Sequence, residues 1–391
     1  MGMQGLFGEA VDRIGGEPIS ARMARRAPIR HLDPMLLSIT MLLSVFGAVM
    51  VFSATANKQD TGLDPAQYLK RQITYALAGA IVLMVVSFID YRHLRAFAPF
   101  LYGAAVVTLV LVLTPLGDEA GGAKSWFNFG FFQIQPSEFA KIAVIVAGAA
   151  YLAERKEELR VRDVAVVTAL VAVPSALIYV EPDFGSMLVF VALMAGLLLL
   201  GGAKIRHFLF LGFVALLSVV VILQVGLLED YQIERITAFL DSSPDVQSEG
   251  WTLQQAKTAI ATGGLRGKGF QQKNTQTSLD FVPEQHTDFI FTAVAEQLGF
   301  IGAGTLLGLF ALLIWRALRI ATLSRDLFGT LLAGGIATMW VFQMFVNVGM
   351  TMGIMPITGL TLPFVSFGGS SLVMNFMAVG ILLNVHMRRY L

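Results

Sequence analysis

The sequence predicts an all-α polytopic membrane protein with ten transmembrane helices. Three observations carry that prediction. Of 391 residues only 14% are charged and 55% are hydrophobic, whereas soluble domains carry about 25% charged residues. Mean hydropathy is +0.69. Apolar runs near the ~20 residues needed to cross a bilayer recur along the chain. The alternating segments of an outer-membrane barrel do not occur. With no cysteine, disulfides and thiolate metal centres are excluded. Five histidines without paired spacing do not make a histidine-built metal site. The net charge of +1 gives no basis for a nucleic-acid partner.

The ten runs are 35–56, 72–90, 96–116, 137–153, 164–181, 185–203, 207–228, 289–315, 327–350 and 369–387. Ahead of them, residues 1–34 read as a flexible basic cytoplasmic tail with Gly15-Gly16 and five arginines. Residues 35–391 form a single transmembrane domain. The first run ends in Ala54-Thr55-Ala56, which resembles a signal-peptidase site. It is too long for a signal core and nine spans follow, so it is a retained helix. The fourth run is short and opens on charge. The fifth contains Pro174 and stops at Glu181-Pro-Asp-Phe-Gly185, a break.

Basic residues set the orientation. One side (both termini and the connections 2–3, 4–5, 6–7 and 8–9) carries 18 Lys and Arg, against four in the short connections opposite. The excess marks the cytoplasmic side. Both termini are therefore expected inside, and a long loop of about 229–288, between spans seven and eight, outside.

Charged residues at the outer border are the candidates for chemistry, because ionisable groups near hydrocarbon are expensive. Asp288 closes Phe281-Val-Pro-Glu-Gln-His286-Thr-Asp288 where the loop meets the eighth span. It reads either as the N-cap of that helix or as a working carboxylate. In Gln135-Pro-Ser-Glu138-Phe-Ala-Lys141, Pro136 suits a helix start and Ser137 a cap. Glu138 and Lys141 share one helix face, either as a self-neutralising pair or as the lining of an outward polar cavity. Lys124 and Trp126 precede them, as a loop cation and an interfacial aromatic or as contacts to a headgroup. Asp183 reads as the cap of the sixth helix or, with Glu138 and Glu181, as a ligand for a divalent cation, Mg or Mn.

Within the long loop, 231–240 and 251–262 have helical, amphipathic spacing. Gly263-Gly-Leu-Arg266-Gly-Lys268-Gly-Phe270 is a plain flexible loop or a backbone cradle for an anion. Glu296 lies two turns into the eighth span and needs a polar partner. Residues 351–371 contain two prolines and no Lys, Arg, Asp or Glu, so they read as a re-entrant segment buried in protein.

Taken together, Gln135-Pro-Ser-Glu-Phe-Ala-Lys141, Glu181-Pro-Asp-Phe-Gly185, Pro283-Glu-Gln-His-Thr-Asp-Phe-Ile-Phe291 and Pro356-Ile-Thr-Gly-Leu-Thr-Leu-Pro-Phe-Val-Ser366-Phe-Gly-Gly-Ser370-Ser371 resemble the SEDS family (shape, elongation, division and sporulation). These are membrane glycosyltransferases that polymerise lipid II into peptidoglycan. The wording of Gly264–Phe270, Asn274–Thr277 and Phe281–Gln285 is closer to the RodA (elongation) type than to the FtsW type. Ser125 stands where the family usually has arginine before the tryptophan.

The resemblance implies that Asp288 is the essential outer acid. It implies a general base for an inverting transfer, with Glu138, Lys141, Lys124, Trp126, Arg235, Lys268, His286, Ser366 and Ser370 binding pyrophosphate or supporting the site. It also implies a divalent cation, a class B penicillin-binding protein as partner, and a place in the cytoplasmic (inner) membrane with the active site facing outward. A lipid II flippase is the rival reading. It requires a polar path through the bilayer, whereas Glu138, Lys141, Asp183 and Asp288 all fall near the outer face.

Overall fold

The computed structural model describes residues 31–56, 65–120, 123–130, 132–155, 158–225, 249–273, 275–279 and 281–389. Eleven helices occur among them: α1 (Pro34–Thr55), α2 (Pro65–Phe88), α3 (Tyr91–Leu113), α4 (Pro136–Ala153), α5 (Val161–Val180), α6 (Phe184–Leu200), α7 (Ile205–Val225), α8 (Glu249–Gly263), α9 (Ile290–Thr322), α10 (Leu327–Met352) and α11 (Gly369–Arg388). All but α8 fall on the ten expected apolar runs. Eight are long and apolar enough to cross a membrane, while Phe184–Leu200 and Ile205–Leu217 are shorter apolar helices. The molecule is thus a multi-pass membrane protein. The expected tail before residue 31, and the helix expected over 231–240, lie outside the described residues.

One correction to an all-helical fold lies before α4. Strands β1 (Asp118–Ala120), β2 (Ala123–Asn128) and β3 (Gln133–Ile134) form an antiparallel sheet in that order. It is too short to leave a periodic signal, yet it delivers the chain directly into α4.

The helices differ sharply in what they bury. In α4, α10 and α11, 83%, 72% and 89% of the apolar window is inside the protein, against 17% in α3. These three are therefore the centre, and α3 presents its surface to lipid. Small residues permit the close packing. A Cβ at Gly335 of α10 would meet Ile145 of α4, and one at Gly148 of α4 would meet Leu197 of α6. Trp340 of α10 donates to Asn375 Oδ1 of α11 at 2.7 Å. Unbonded polar groups are costly in apolar surroundings, so this bond locks the two helices together.

The uncharged stretch after α10 is irregular between its helical ends and largely buried. Gly353 closes α10 in the left-handed region (φ 73°), as helix-ending glycines do. The following 354–368 is non-helical, and Leu360, Leu362, Phe364 and Val365 are buried. Gly47 of α1 lets the Phe364–Val365 backbone approach, and Gly185 of α6 does the same for Thr358.

The opposite end of the bundle is tied by charge. Asp33 caps α1 and pairs with Arg316 of α9. Tyr91 donates to Asp326 at 2.9 Å, and Asn384 of α11 accepts from the Tyr91 N–H at 3.0 Å.

Candidate active site

β3 leads through Gln135, the residue before the helix, into Pro136 at the first turn of α4. Gln135, not Ser137, occupies the cap position, and no side chain caps this end. The Gln135 N–H instead donates to Ser370 Oγ (2.9 Å), and Ser370 donates to the Gln133 carbonyl (3.1 Å). Ser370 thereby fastens the start of α4 to the start of α11. One turn in, Lys141 Nζ meets Glu138 Oε1 at 2.6 Å. Lys141 is 0% exposed, so the pair is held in protein rather than at the lipid surface. Glu138 Oε2 and Ser137 Oγ are buried with no hydrogen-bond partner among the described residues.

The turn between α5 and α6 lies alongside. Asp183 caps α6, accepting from the Ser186 N–H through Oδ1 (2.9 Å) and from Gln135 Nε2 through Oδ2 (3.2 Å). Glu181 is fully buried, and neither of its carboxylate oxygens has a hydrogen-bond partner among the described residues. Burial, reinforced by the nearby Asp183 carboxylate, pushes its pKa up to about 8. Ser125 of β2 donates to the Glu181 carbonyl at 3.2 Å. Both Asp183 oxygens are engaged, and among the described residues no group of three or more His, Asp or Glu could hold a metal ion. No catalytic step is assigned to a divalent cation here.

Asp288 is not a helix cap. Residues 283–289 form a turn in which the Glu284 carbonyl accepts from the N–H groups of Thr287, Asp288 and Phe289. Helix α9 starts only at Ile290, with Phe289 before it and no side-chain cap bond. The half-buried Asp288 carboxylate faces the 354–368 segment instead, where a Cβ at Gly359 would lie 3.5 Å from Oδ2. Gly359 has φ 71°, a region glycine occupies without strain. Asn347 of α10 fixes this juxtaposition from below, its Nδ2 donating to the carbonyls of Asp288 (2.8 Å) and Leu360 (2.6 Å). Contacts therefore run unbroken from the Glu138 helix start through Gln135, Asp183, Gly185 and Thr358 to the Gly359–Asp288 approach.

The glycine-rich stretch is used for packing, not as an anion cradle. Helix α9 breaks at Gly299 (φ 67°), and residues 263–270 fill the break. The Lys268 and Gly269 N–H groups donate to the Glu296 and Gln297 carbonyls at 2.9 and 3.1 Å. The Phe300 and Ile301 N–H groups donate to Gly264 and Leu265 at 2.8 and 3.1 Å. A Cβ at Gly263 or Gly267 would collide with the α9 backbone. Glu296 finds its partners here. It is fully buried and accepts from Lys268 Nζ (2.9 Å), Gln276 N (2.8 Å), Thr277 N (2.8 Å) and Thr277 Oγ1 (2.7 Å). Lys268 is thus the counter-charge of Glu296.

Helix α8, amphipathic as expected, buries Leu253, Ala256 and Ala259. With Val282, Phe289 and Ile357 they include or adjoin the apolar cluster beside the Asp288 turn.

The comparisons with known proteins decide the family. The model of the FtsW, RodA and SpoVE proteins, described as cell cycle proteins, matches residues 33–391. The chain belongs to this family, the SEDS proteins. Stage V sporulation protein E of Bacillus subtilis is 39% identical over 90% of this chain and 96% of its own length. The probable peptidoglycan glycosyltransferase FtsW of Trichlorobacter lovleyi is 37% identical, over 92% and 95%. The peptidoglycan glycosyltransferase MrdB of Escherichia coli K12 is 36% identical, over 92% and 94%. Among solved structures, a chain of a peptidoglycan synthase complex described for structural coordination of polymerization and crosslinking superposes with a TM-score of 0.77 at 33% identity, covering 92% of this chain and 98% of that one. The rod shape determining protein RodA of Thermus thermophilus gives 0.68 at 31%, with the same coverage.

In this SEDS chain the remaining expected residues take varied positions. His286 is buried in an aromatic group with Tyr68 (4.9 Å between ring centres) and Phe367 (5.6 Å). Ser366 Oγ accepts from the Leu362 N–H at 2.8 Å and shapes the 354–368 segment. Trp126 and Lys124 lie half-buried on β2, Lys124 opposite Glu119. Arg235 lies outside the described residues. The sequence reading passed over Asn347 and Gln285. Gln285 Nε2 donates to Thr277 (3.1 Å) and Thr292 (3.0 Å), joining loop to helix.

Proposed function

We propose that this chain is a peptidoglycan glycosyltransferase that polymerises lipid II at the outer face of the cytoplasmic membrane, with Asp288 as general base. Family membership over 33–391 supports the activity class. The observation that carries the assignment of Asp288 is its half-buried carboxylate, which lies against Gly359 one residue before the Phe289 cap position. In the reaction the 4-hydroxyl of one sugar attacks the anomeric carbon of another. Its proton passes to Asp288 as the new C–O bond forms. The bond to undecaprenyl pyrophosphate breaks, and the electron pair leaves with the phosphate. Single displacement inverts an α-linked donor to a β-1,4 product and needs no second carboxylate nucleophile. Lys141 and Lys124 contribute positive potential toward the departing pyrophosphate. Lys268 supports the loop that carries Asp288.

The topology proposed with this mechanism is ten spans, both termini cytoplasmic and the 229–288 loop outside, as the basic-residue bias suggests. The role is cell elongation, supported by the Gly264–Phe270 wording. A stage V sporulation protein, an FtsW and an MrdB match at similar identity, so complementation of elongation-defective and division-defective cells tests that part. The proposed partner is a class B penicillin-binding protein, in keeping with the likeness to a chain of a peptidoglycan synthase complex. Glu296 is fully bonded to the loop, which supports an outer-face enzyme over a flippase path.

The test is a gel assay of glycan strands made from lipid II by purified protein. Asp288→Asn should lower polymerisation by roughly 10²–10⁴-fold and leave folding unchanged. Full activity in that variant would return Asp288 to a structural role.

A further inference from the structure

We infer that Gln343 is a positioning residue of this polymerase, holding water between the Glu138–Lys141 pair and the Asp288 turn. The inference rests on the polymerase reading above. Gln343 of α10 is 0% exposed, and neither its Oε1 nor its Nε2 has a hydrogen-bond partner among the described residues. A buried primary amide in this condition is rare unless water or a ligand completes it.

Its surroundings supply the rest of such a site. One turn along α10 lies Asn347, whose Nδ2 holds the Asp288 and Leu360 carbonyls while its Oδ1 is buried and unpartnered. On α4, Ser137 Oγ and Glu138 Oε2 are likewise buried and unpartnered.

Packing brings the two helices into register. Gly335 of α10 abuts Ile145 of α4, and the helices run antiparallel. Eight residues of ~1.5 Å rise along each, about 12 Å, put Gln343 level with Ser137 and Glu138. The first turn of α4 and Gln343 thus stand at one height of the bundle, one turn from Asn347. A buried water takes about two to four polar partners, and the groups at this height offer them.

The chemical consequence concerns position. Glu138 Oε1 is committed to Lys141. Water bonded to Glu138 Oε2, Ser137 and Gln343, and passing on to Asn347 Oδ1, fixes the α4 charges relative to the Asp288 backbone. Gln343 acts through water and Asn347 and does not touch the reacting atoms.

The test compares Gln343→Leu, which keeps the volume and removes the amide, with Gln343→Asn, which keeps a shorter amide. The expected result for Gln343→Leu is a kcat for lipid II polymerisation lower by at least about tenfold, with KM within about twofold. Gln343→Asn should recover part of kcat. A second readout does not use activity. The melting midpoints of Gln343→Leu, Ser137→Ala and the double variant in detergent should be non-additive, since both singles remove a partner of one water bridge. Wild-type kcat in Gln343→Leu, or additive midpoints, would overturn the inference. If the native chain fails to polymerise lipid II, the polymerase reading falls, and the midpoint cycle still decides whether the water bridge exists.

Discussion

Glu296→Gln is the substitution that most directly tests how the 263–289 loop is held. Glu296 is fully buried and accepts four hydrogen bonds, two on each oxygen, one of them from Lys268 Nζ. Glutamine preserves the shape but turns one acceptor into a donor. With the amide in either orientation, a backbone N–H of Gln276 or Thr277 then faces another donor. An unsatisfied buried donor costs about 1–3 kcal/mol, and a charge-assisted bond is worth about 1.5–3 kcal/mol. The expected loss is about 3–5 kcal/mol, the range for breaking a buried ion pair. Lys268→Met should cost less, about 1.5–3 kcal/mol for the lost charge-assisted bond. Its side chain is 30% exposed, and the other three donors to Glu296 remain. Unfolding midpoints in detergent, with limited proteolysis across 263–289, measure both. Because Asp288 ends this stretch, polymerisation should fall in Glu296→Gln and largely survive in Lys268→Met. Equal midpoints for Glu296→Gln and the native protein would refute the reasoning. Loss of polymerisation in a stable Lys268→Met would assign that lysine to substrate instead.

Three further outcomes follow from buried charge. Glu138→Gln alone strands the Lys141 ammonium and should cost about 3–5 kcal/mol. Glu138→Gln with Lys141→Met should insert and fold normally yet fail to polymerise lipid II, and persistent activity would make the pair structural. Glu181 has its pKa raised from 4.5 to about 8. The native state therefore holds a proton that the unfolded chain has lost, and its contribution to stability is complete below pH 4.5 and is lost as pH rises through 8. Glu181→Gln should flatten that decline, which is at most about 5 kcal/mol across the window. Midpoints between pH 5 and 9 check it, and an unchanged pH slope would mean that Glu181 is solvated or paired.

Much of this arrangement was readable from residue order. Apolar run length located the eight helices long and apolar enough to cross a membrane and the two shorter apolar ones. The absence of charge over 351–371 marked a buried irregular segment, which the burial of Leu360–Val365 bears out. Local signals failed where tertiary contacts decide. Aspartate before an apolar run reads as a cap, but the Glu284-centred turn takes up the backbone there and delays α9 to Ile290. Clustered glycines allow either an anion or another backbone to come close, and only the break at Gly299 shows that α9 is the occupant. Gln343 and Asn347 carry no charge and hid among apolar neighbours. Their spacing of four, continued by buried Thr351, was the available signal of one polar face.

The splice at Gly299 also constrains how this protein can vary. Surface loops ordinarily accept insertions and deletions, since their backbone answers only to water. Residues 263–270 answer to a helix, completing four of its backbone bonds across the gap. Lengthening or trimming them would leave amides and carbonyls of α9 without partners, so this loop must keep its length as strictly as the bundle itself.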